Sequence, residues 1–257
     1  MNSISIVART SDSLAQSGAT ELMLGLSGAS LRRHDASVPD ANNAIGSSHG
    51  QLDAVYGHWC ALMASPNDGL LDVAPQNLQD LAVFMEARKN TLHELGRIVV
   101  LVSPDPESQH TANSFLNTIV PTSVEPQKCA VLLVDYPRNV SPEPLFTELY
   151  AGLRDIQFEG PITSAPITSR QFEEAHAHKL MVNSLVNGEA LEDEFRAARE
   201  AGVSEKKLYG LSRRLMAART VVAAAREFQP VYDALRLPCI ATVVTTNDVS
   251  HHRDATP

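Results

Sequence analysis

An aspartate ends one short apolar run of this chain, at a position where α/β proteins often place polar chemistry. The run Gly69-Leu-Leu-Asp72 is followed by a turn that contains Pro75. In doubly wound proteins, a carboxylate at the carboxyl end of a buried parallel strand often holds a magnesium ion beside a phosphate. Asp72 is therefore a candidate ligand of Mg²⁺.

A second candidate lies near the N-terminus, where Gly18-Ala19-Thr20 follows an apolar run (Ser3–Val7) and a polar loop. A phosphate-binding loop at such a place uses glycine amides and a lysine for the phosphates, and a Ser or Thr hydroxyl for magnesium. Thr20 is thus a candidate metal ligand. The alternative is a turn of small residues before a helix.

The segments that would position these residues repeat one pattern, in which an apolar run is followed by a polar, proline-containing turn and then by a helix. This order predicts an α/β fold with a doubly wound, mostly parallel sheet. The predicted strands lie near residues 3–7, 69–72, 98–102 and 130–134. The predicted helices span residues 52–64, 76–95, 107–119 and 142–156. From residue 169 the chain is predicted to be almost wholly helical, with breaks at Asn187-Gly188 and Gly202-Val-Ser204.

We divide the chain into three parts. Residues 1–168 are predicted to form the α/β core, and residues 169–244 a helical region that packs on it. Residues 245–257 are predicted to be a disordered tail.

Composition narrows the class of protein. The formal net charge of −9 argues against broad, nonspecific adhesion to DNA. The three cysteines are odd in number and form no CxxC pair, which favours reduced packing residues and a cytoplasmic location over a zinc site. No apolar run approaches the length of a membrane span.

The order and spacing of four segments resemble the ParA/MinD superfamily of deviant P-loop ATPases, and most closely its StbB-like plasmid-stability branch. The segments are Leu71–Asn77, Val99–Asp105, Gln109–Ile119 and Val124–Tyr136, and the resemblance extends over roughly residues 1 to 235. It implies a P-loop-like core that binds ATP and Mg²⁺, a homodimer, and a small DNA-binding partner in plasmid partition.

The resemblance also assigns individual residues to a nucleotide site. It places Gly18, Ala19 and Thr20 in the phosphate loop, with Thr20 and Asp72 on the metal. It places Asp135 beside the adenine, where the family carries an asparagine.

Two departures from the family pattern bear on activity. Ala19 replaces the phosphate-binding lysine, and Leu14 stands where the family has its second lysine. Each change removes a charge-assisted bond on which phosphoryl transfer depends. We therefore expect ATP hydrolysis to be impaired or lost, with no catalytic residue assigned and with function carried by protein contacts. The alternatives are an active ATPase with an unorthodox phosphate loop, and a small-molecule-binding α/β protein unrelated to partition.

A basic cluster in the C-terminal region is the candidate partner-binding surface. Arg213, Arg214 and Arg219 could contact an acidic partner or a DNA backbone, whereas the alternative is an ordinary solvated helix face. As exposed charges contribute little to folding, replacing all three with glutamate is expected to leave stability nearly unchanged.

Overall fold

The computed structural model describes residues 3–27, 29–34, 50–88, 93–121, 124–185, 189–235 and 237. The predicted tail, residues 245–257, lies outside these ranges. Within them, the chain forms one six-stranded sheet in which every pairing is parallel.

The strands lie in the order β2-β3-β1-β4-β5-β6, which confirms the predicted doubly wound α/β class. All four predicted strands are present, and Asp72 lies at the carboxyl end of its strand. The strands are β1 (Ile4–Arg9), β2 (Ser30–His34), β3 (Gly69–Val73), β4 (Leu95–Val102), β5 (Cys129–Leu133) and β6 (Ile162–Ser164).

Helices cover both faces of the sheet. Short 3₁₀ turns lie at Pro75–Asn77 and Pro126–Lys128. The α-helices are α1 (Leu14–Ser27), α2 (Gly50–Met63), α3 (Leu78–Arg88), α4 (Pro106–Ile119), α5 (Thr147–Asp155), α6 (Arg170–Ala177), α7 (Val182–Leu185), α8 (Glu189–Glu200) and α9 (Glu205–Leu235).

Successive residues of each central strand are buried on opposite faces, as in other all-parallel sheets. In β4, Val100 and Val102 face a core that includes side chains of α2, α3, α4 and α5. Val99 and Leu101 face a second core formed with α1, α6, α7 and α9. The predicted helical region therefore supplies most of one layer of the fold.

Two strands are missing from the sequence-based prediction. β2 (Ser30–His34) carries two arginines and a histidine, so it lacks the apolar signature of the central strands. It lies at the edge of the sheet, where charged side chains are common. β6 has three residues, none of them buried, and forms the opposite edge.

The predicted break at Gly202 is confirmed, whereas the one at Asn187-Gly188 lies outside the described residues. Gly202 has a φ of 62°, a conformation that glycine adopts without the steric cost of a Cβ. The N–H groups of Gly202 and Val203 donate to the carbonyls of Arg199 and Ala198, which is the Schellman pattern of a helix end. This turn reverses the chain from α8 into α9.

Candidate functional site

The crevice between the carboxyl ends of β1 and β4 is the topological switch point of the sheet. The helix that follows β1 packs on one face and the helix that follows β4 packs on the other. Ligands of open α/β sheets bind where the two connections diverge in this way. The loops that line the crevice are Thr10–Ser13 and Ser103–Asp105.

A network of neutral polar side chains occupies this crevice. Thr10, Gln16, Ser103 and Ser108 are all buried. The Thr10 hydroxyl donates to the Leu101 carbonyl (2.7 Å) and lies against the Ser108 hydroxyl. Ser108 Oγ also accepts from the Ser103 N–H at 2.9 Å. The network therefore ties the loop after β1 to the loop after β4.

Gln16 is the centre of the network. Its Oε1 accepts from the backbone N–H groups of Thr10 (2.8 Å) and Ser11 (3.1 Å). Its Nε2 donates to the Ser103 hydroxyl at 2.9 Å. Consecutive loop amides that converge on one oxygen are the arrangement with which a phosphate loop holds an anion. Here a side-chain amide oxygen accepts both of those bonds.

The first turn of α1 is also occupied by side chains of the protein. The Gln16 N–H donates to Ser13 Oγ (3.2 Å), so Ser13 is the N-cap. The Ala15 N–H donates to Ser169 Oγ (3.2 Å). These amides are donors that a helix N-terminus would otherwise present to an anion.

Asp72 lies between two arginines. Its Oδ1 accepts from Arg9 Nε at 2.8 Å, and its Oδ2 lies 3.2 Å from Arg33 Nε. Asp72 is 2% exposed and the Arg9 side chain 11% exposed, whereas Arg33 is 49% exposed. Both carboxylate oxygens are therefore neutralised by guanidinium groups, which would repel a cation. No group of three or more potential metal ligands occurs among the described residues.

Arg33 links Asp72 to a further ion pair on α1. Arg33 Nη2 donates to Glu21 Oε1 (3.0 Å), and Glu21 Oε2 accepts from the Val182 N–H (2.8 Å). The pairs join the edge strand β2 to the neighbouring strand and to a helix. The two partners of Arg33 explain an arginine in a strand that pairs directly with the buried β3.

Gly18, Ala19 and Thr20 do not form a loop ahead of a helix, and this expectation was wrong. Helix α1 already begins at Leu14, so the three residues lie in its second turn and are buried. A Cβ at Gly18 would lie 2.5 Å from the Phe172 ring. The Thr20 hydroxyl donates to the Gln16 carbonyl. The glycine and alanine thus allow α6 and the sheet to approach α1 closely.

Asp135 bonds to the start of α6 in this structure, and the expected adenine contact stays a prediction. It follows β5 with a φ of 63°, a conformation in which aspartate is enriched. Its Oδ1 accepts from the Ser169 N–H (2.9 Å) and its Oδ2 from the Ser169 hydroxyl (2.7 Å). The carboxylate is thereby held at the start of α6. Ser169 Oγ also accepts from the Ala15 N–H, so it joins Asp135 to α1.

The three arginines of the predicted partner surface are each paired within the chain. Arg213 donates two bonds to Glu174 of α6 (2.9 and 2.8 Å). On α8, Glu194 lies 3.6 Å from Arg214 and Glu192 lies 3.2 Å from Arg219. In this structure these charges pair α9 with its neighbouring helices, and the partner-binding role of the three arginines stays a prediction.

The predicted packing role of Cys129 is consistent with its burial in the core. Burial raises the pKa of the Cys129 thiol to about 12, so it stays protonated at neutral pH. Protonated thiols are poor nucleophiles and poor metal ligands.

Sequence reasoning gave no site role to the residues on which the crevice depends, and it interpreted two of them, Ser103 and Ser108, as part of a helix N-terminus. The others are Thr10, Gln16, Arg33 and Ser169. One signal was available for Gln16. Ser13-Leu-Ala-Gln16 has the spacing of a capping box, which places a helix start at Ser13 rather than at Gly18. The other contacts join segments that are far apart in sequence.

Neither the protein-family models nor the curated proteins give a match to this sequence. Among the described residues, no helix combines the length and the apolar character needed to cross a membrane.

Proposed function

We propose that this protein acts in plasmid stability or partition through protein contacts, with ATP hydrolysis impaired or lost. The proposal joins the resemblance of the sequence to StbB-like members of the ParA/MinD superfamily with the chemistry of the crevice. It includes a homodimer, a small DNA-binding partner and a cytoplasmic location, as in the family it resembles.

The observation that carries the loss of ATP hydrolysis is the position of Gln16. Its amide oxygen accepts from the N–H groups of Thr10 and Ser11, so these two donors are not available to a phosphate oxygen. Burial of Gln16 and its further bonds to Ser103 make displacement by a phosphate costly.

The charges around the crevice support the same conclusion. Asp72 is paired with Arg9 and Arg33, so a magnesium ion would have to replace two guanidinium groups at a buried carboxylate. Ala19 is fully buried in α1 and lacks the ammonium group of the family's lysine. The residues present therefore fit Mg²⁺ and ATP poorly.

Two measurements test the proposal separately. For the first, purified protein is titrated with ATP and Mg²⁺ in a calorimeter and assayed for phosphate release. We expect no saturable heat and no turnover above that of buffer without protein. Turnover near 1 per second, a typical kinase rate, in the wild-type protein would instead support an active ATPase.

The second measurement addresses partition. A plasmid that carries the gene is compared with one in which the gene is deleted, and retention is counted over generations without selection. We expect faster loss of the deleted plasmid. Equal retention with and without the gene would contradict the role in plasmid stability.

A further inference from the structure

Helix α8 is held to α9 by an exposed contact. None of the described α8 side chains is fully buried, and Leu191, Phe195 and Ala198 are half-buried. These three residues recur at helical spacing on one side of α8, so the helix is amphipathic. Leu191 packs at the margin of the core that α1 and α9 share.

The charged contact between the two helices is also exposed. Glu192 pairs with Arg219 at 3.2 Å and Glu194 with Arg214 at 3.6 Å, and all four side chains are between 37% and 56% exposed. Ion pairs with this exposure are screened by salt and contribute little to stability. Release of α8 would therefore require little free energy compared with release of a buried helix.

Helix α9 does not depend on α8 for its own position. Its C-terminal half carries Val221, Phe228 and Tyr232, which are all fully buried against the sheet. The Gly202 turn connects α8 to the N-terminal end of α9, where Tyr209 is 67% exposed. If α8 moved away, α9 would remain and would present Arg214 and Arg219 without their partners.

We propose that α8 covers, within the same chain, a surface of α9 that binds an acidic amphipathic helix of a partner protein. The occupant is inferred from charge and shape, because α8 itself supplies a template. Helix α8 has the sequence Glu189-Ala-Leu-Glu-Asp-Glu-Phe-Arg-Ala-Ala-Arg-Glu200. Its acidic residues flank a narrow apolar stripe formed by Leu191, Phe195 and Ala198. A partner helix with the same pattern would replace α8 and take over both arginines.

This inference deepens the proposed function, since it rests on the idea that the chain acts through protein contacts. The two can still fail separately. The surface is tested by peptide binding with purified protein, whereas the role in plasmid stability is tested by retention.

The test opens the surface without altering its arginines. The variant Glu192→Arg/Glu194→Arg places like charges opposite Arg219 and Arg214 and should release α8. The probe is a fluorescent peptide with the sequence of residues 189–200, measured by anisotropy. We expect the peptide to bind this variant at least 10-fold more tightly than the wild-type chain. Amide hydrogen exchange along α8 should also accelerate at least 10-fold.

The matched control is Asp193→Arg/Glu200→Arg. It changes the net charge by the same amount on the same helix, but Asp193 pairs only within α8, with Arg196. We expect this variant to exchange and to bind the peptide as the wild-type chain does.

A charge-swapped chain completes the test. Adding Arg214→Glu and Arg219→Glu to the opened variant restores opposite charges across the contact, so α8 should return and peptide binding should fall to the wild-type level. Unchanged exchange in α8, equal peptide affinity for the opened and control variants, or binding that survives the charge swap would each overturn the proposal. Dimerisation of the opened variant in place of peptide binding would assign the surface to a second copy and also overturn it.

Discussion

The crevice at β1 and β4 and the arginine-bearing side of α9 both contain polar groups that are already paired within the chain, but burial gives the two regions opposite properties. Asp72 and Arg9 are almost completely buried, so each is costly to leave without its partner. Arg219 and Glu192 are each about half exposed, so water can replace the partner of either. The ion pair in the crevice is therefore costly to separate, whereas the ion pair between α8 and α9 is not.

The largest effect is expected at the buried pair. Asp72→Ala should lower the free energy of unfolding by about 3–5 kcal/mol, because it breaks a buried pair and leaves Arg9 with only the exposed Asp12, 3.7 Å from its Nη1, as a carboxylate partner. Urea denaturation measures the change. The control Asp193→Ala removes an exposed pair within α8 and should change stability by less than about 0.5 kcal/mol. Similar losses in the two variants would show that burial does not separate the regions.

A somewhat smaller loss is expected for Gln16→Ala. The change removes the acceptor of the buried Thr10 N–H and a donor to Ser103 Oγ, at a cost of about 2–4 kcal/mol. Urea denaturation again measures it. Gln16→Glu keeps the acceptor oxygens and should retain more stability at the loop amides. If Gln16→Ala unfolded at the same urea concentration as the wild-type protein, the network would not hold the two loops together.

Reversing the charge of the exposed arginines should lower the free energy of unfolding moderately, by an amount that depends on salt. Arg213→Glu/Arg214→Glu/Arg219→Glu places glutamates opposite Glu174, Glu194 and Glu192. We expect a loss of about 1–2 kcal/mol at low ionic strength, which replaces the near-zero change expected from sequence. In 1 M NaCl most of the loss should disappear. A loss that is insensitive to salt would show that these arginines contribute packing rather than charge.

The smallest effect concerns pH. In the unfolded chain the Cys129 thiol ionises near pH 9, whereas burial keeps the pKa of the folded thiol at about 12. Stability should therefore fall as pH rises from 9 towards 12, since only the unfolded state loses this proton. Between pH 8.5 and 10, the wild-type protein should lose about 1 kcal/mol more than Cys129→Ala. Parallel losses in the two proteins would contradict the sign and the assignment.

The fold was largely predictable because its signals are local. Apolar runs such as Ile98–Val102 mark the strands buried on both faces, and the turns that follow them contain proline. The edge strand Ser30–His34 was not predicted because a segment rich in arginine is typical of a surface loop. Its pairing with β3 and the contact of Arg33 with Asp72 are seen only in the tertiary structure. The predicted parallel arrangement of the strands and the position of Asp72 at the carboxyl edge of the sheet were both confirmed.

The candidate site was less predictable because its bonds are long-range. Gly18-Ala19-Thr20 matched a motif by residue type, but helix packing explains the glycine once Phe172 lies against it. Asp135 and the arginines of α9 were identified as charged positions, and their partners Ser169, Glu174 and Glu192 could not be inferred from spacing.

The sequence by itself determined which segments are strands or helices and where a carboxylate ends a buried strand, because hydrophobic periodicity and turn chemistry act over a few residues. Only the tertiary structure decided which polar groups are left for a ligand. Hydrogen bonds and ion pairs join residues as far apart as Thr10 and Ser108, or Arg9 and Asp72, and burial then sets how costly each is to break. By that physical criterion the polar groups of the crevice are costly to separate, whereas the ion pairs between α8 and α9 are not.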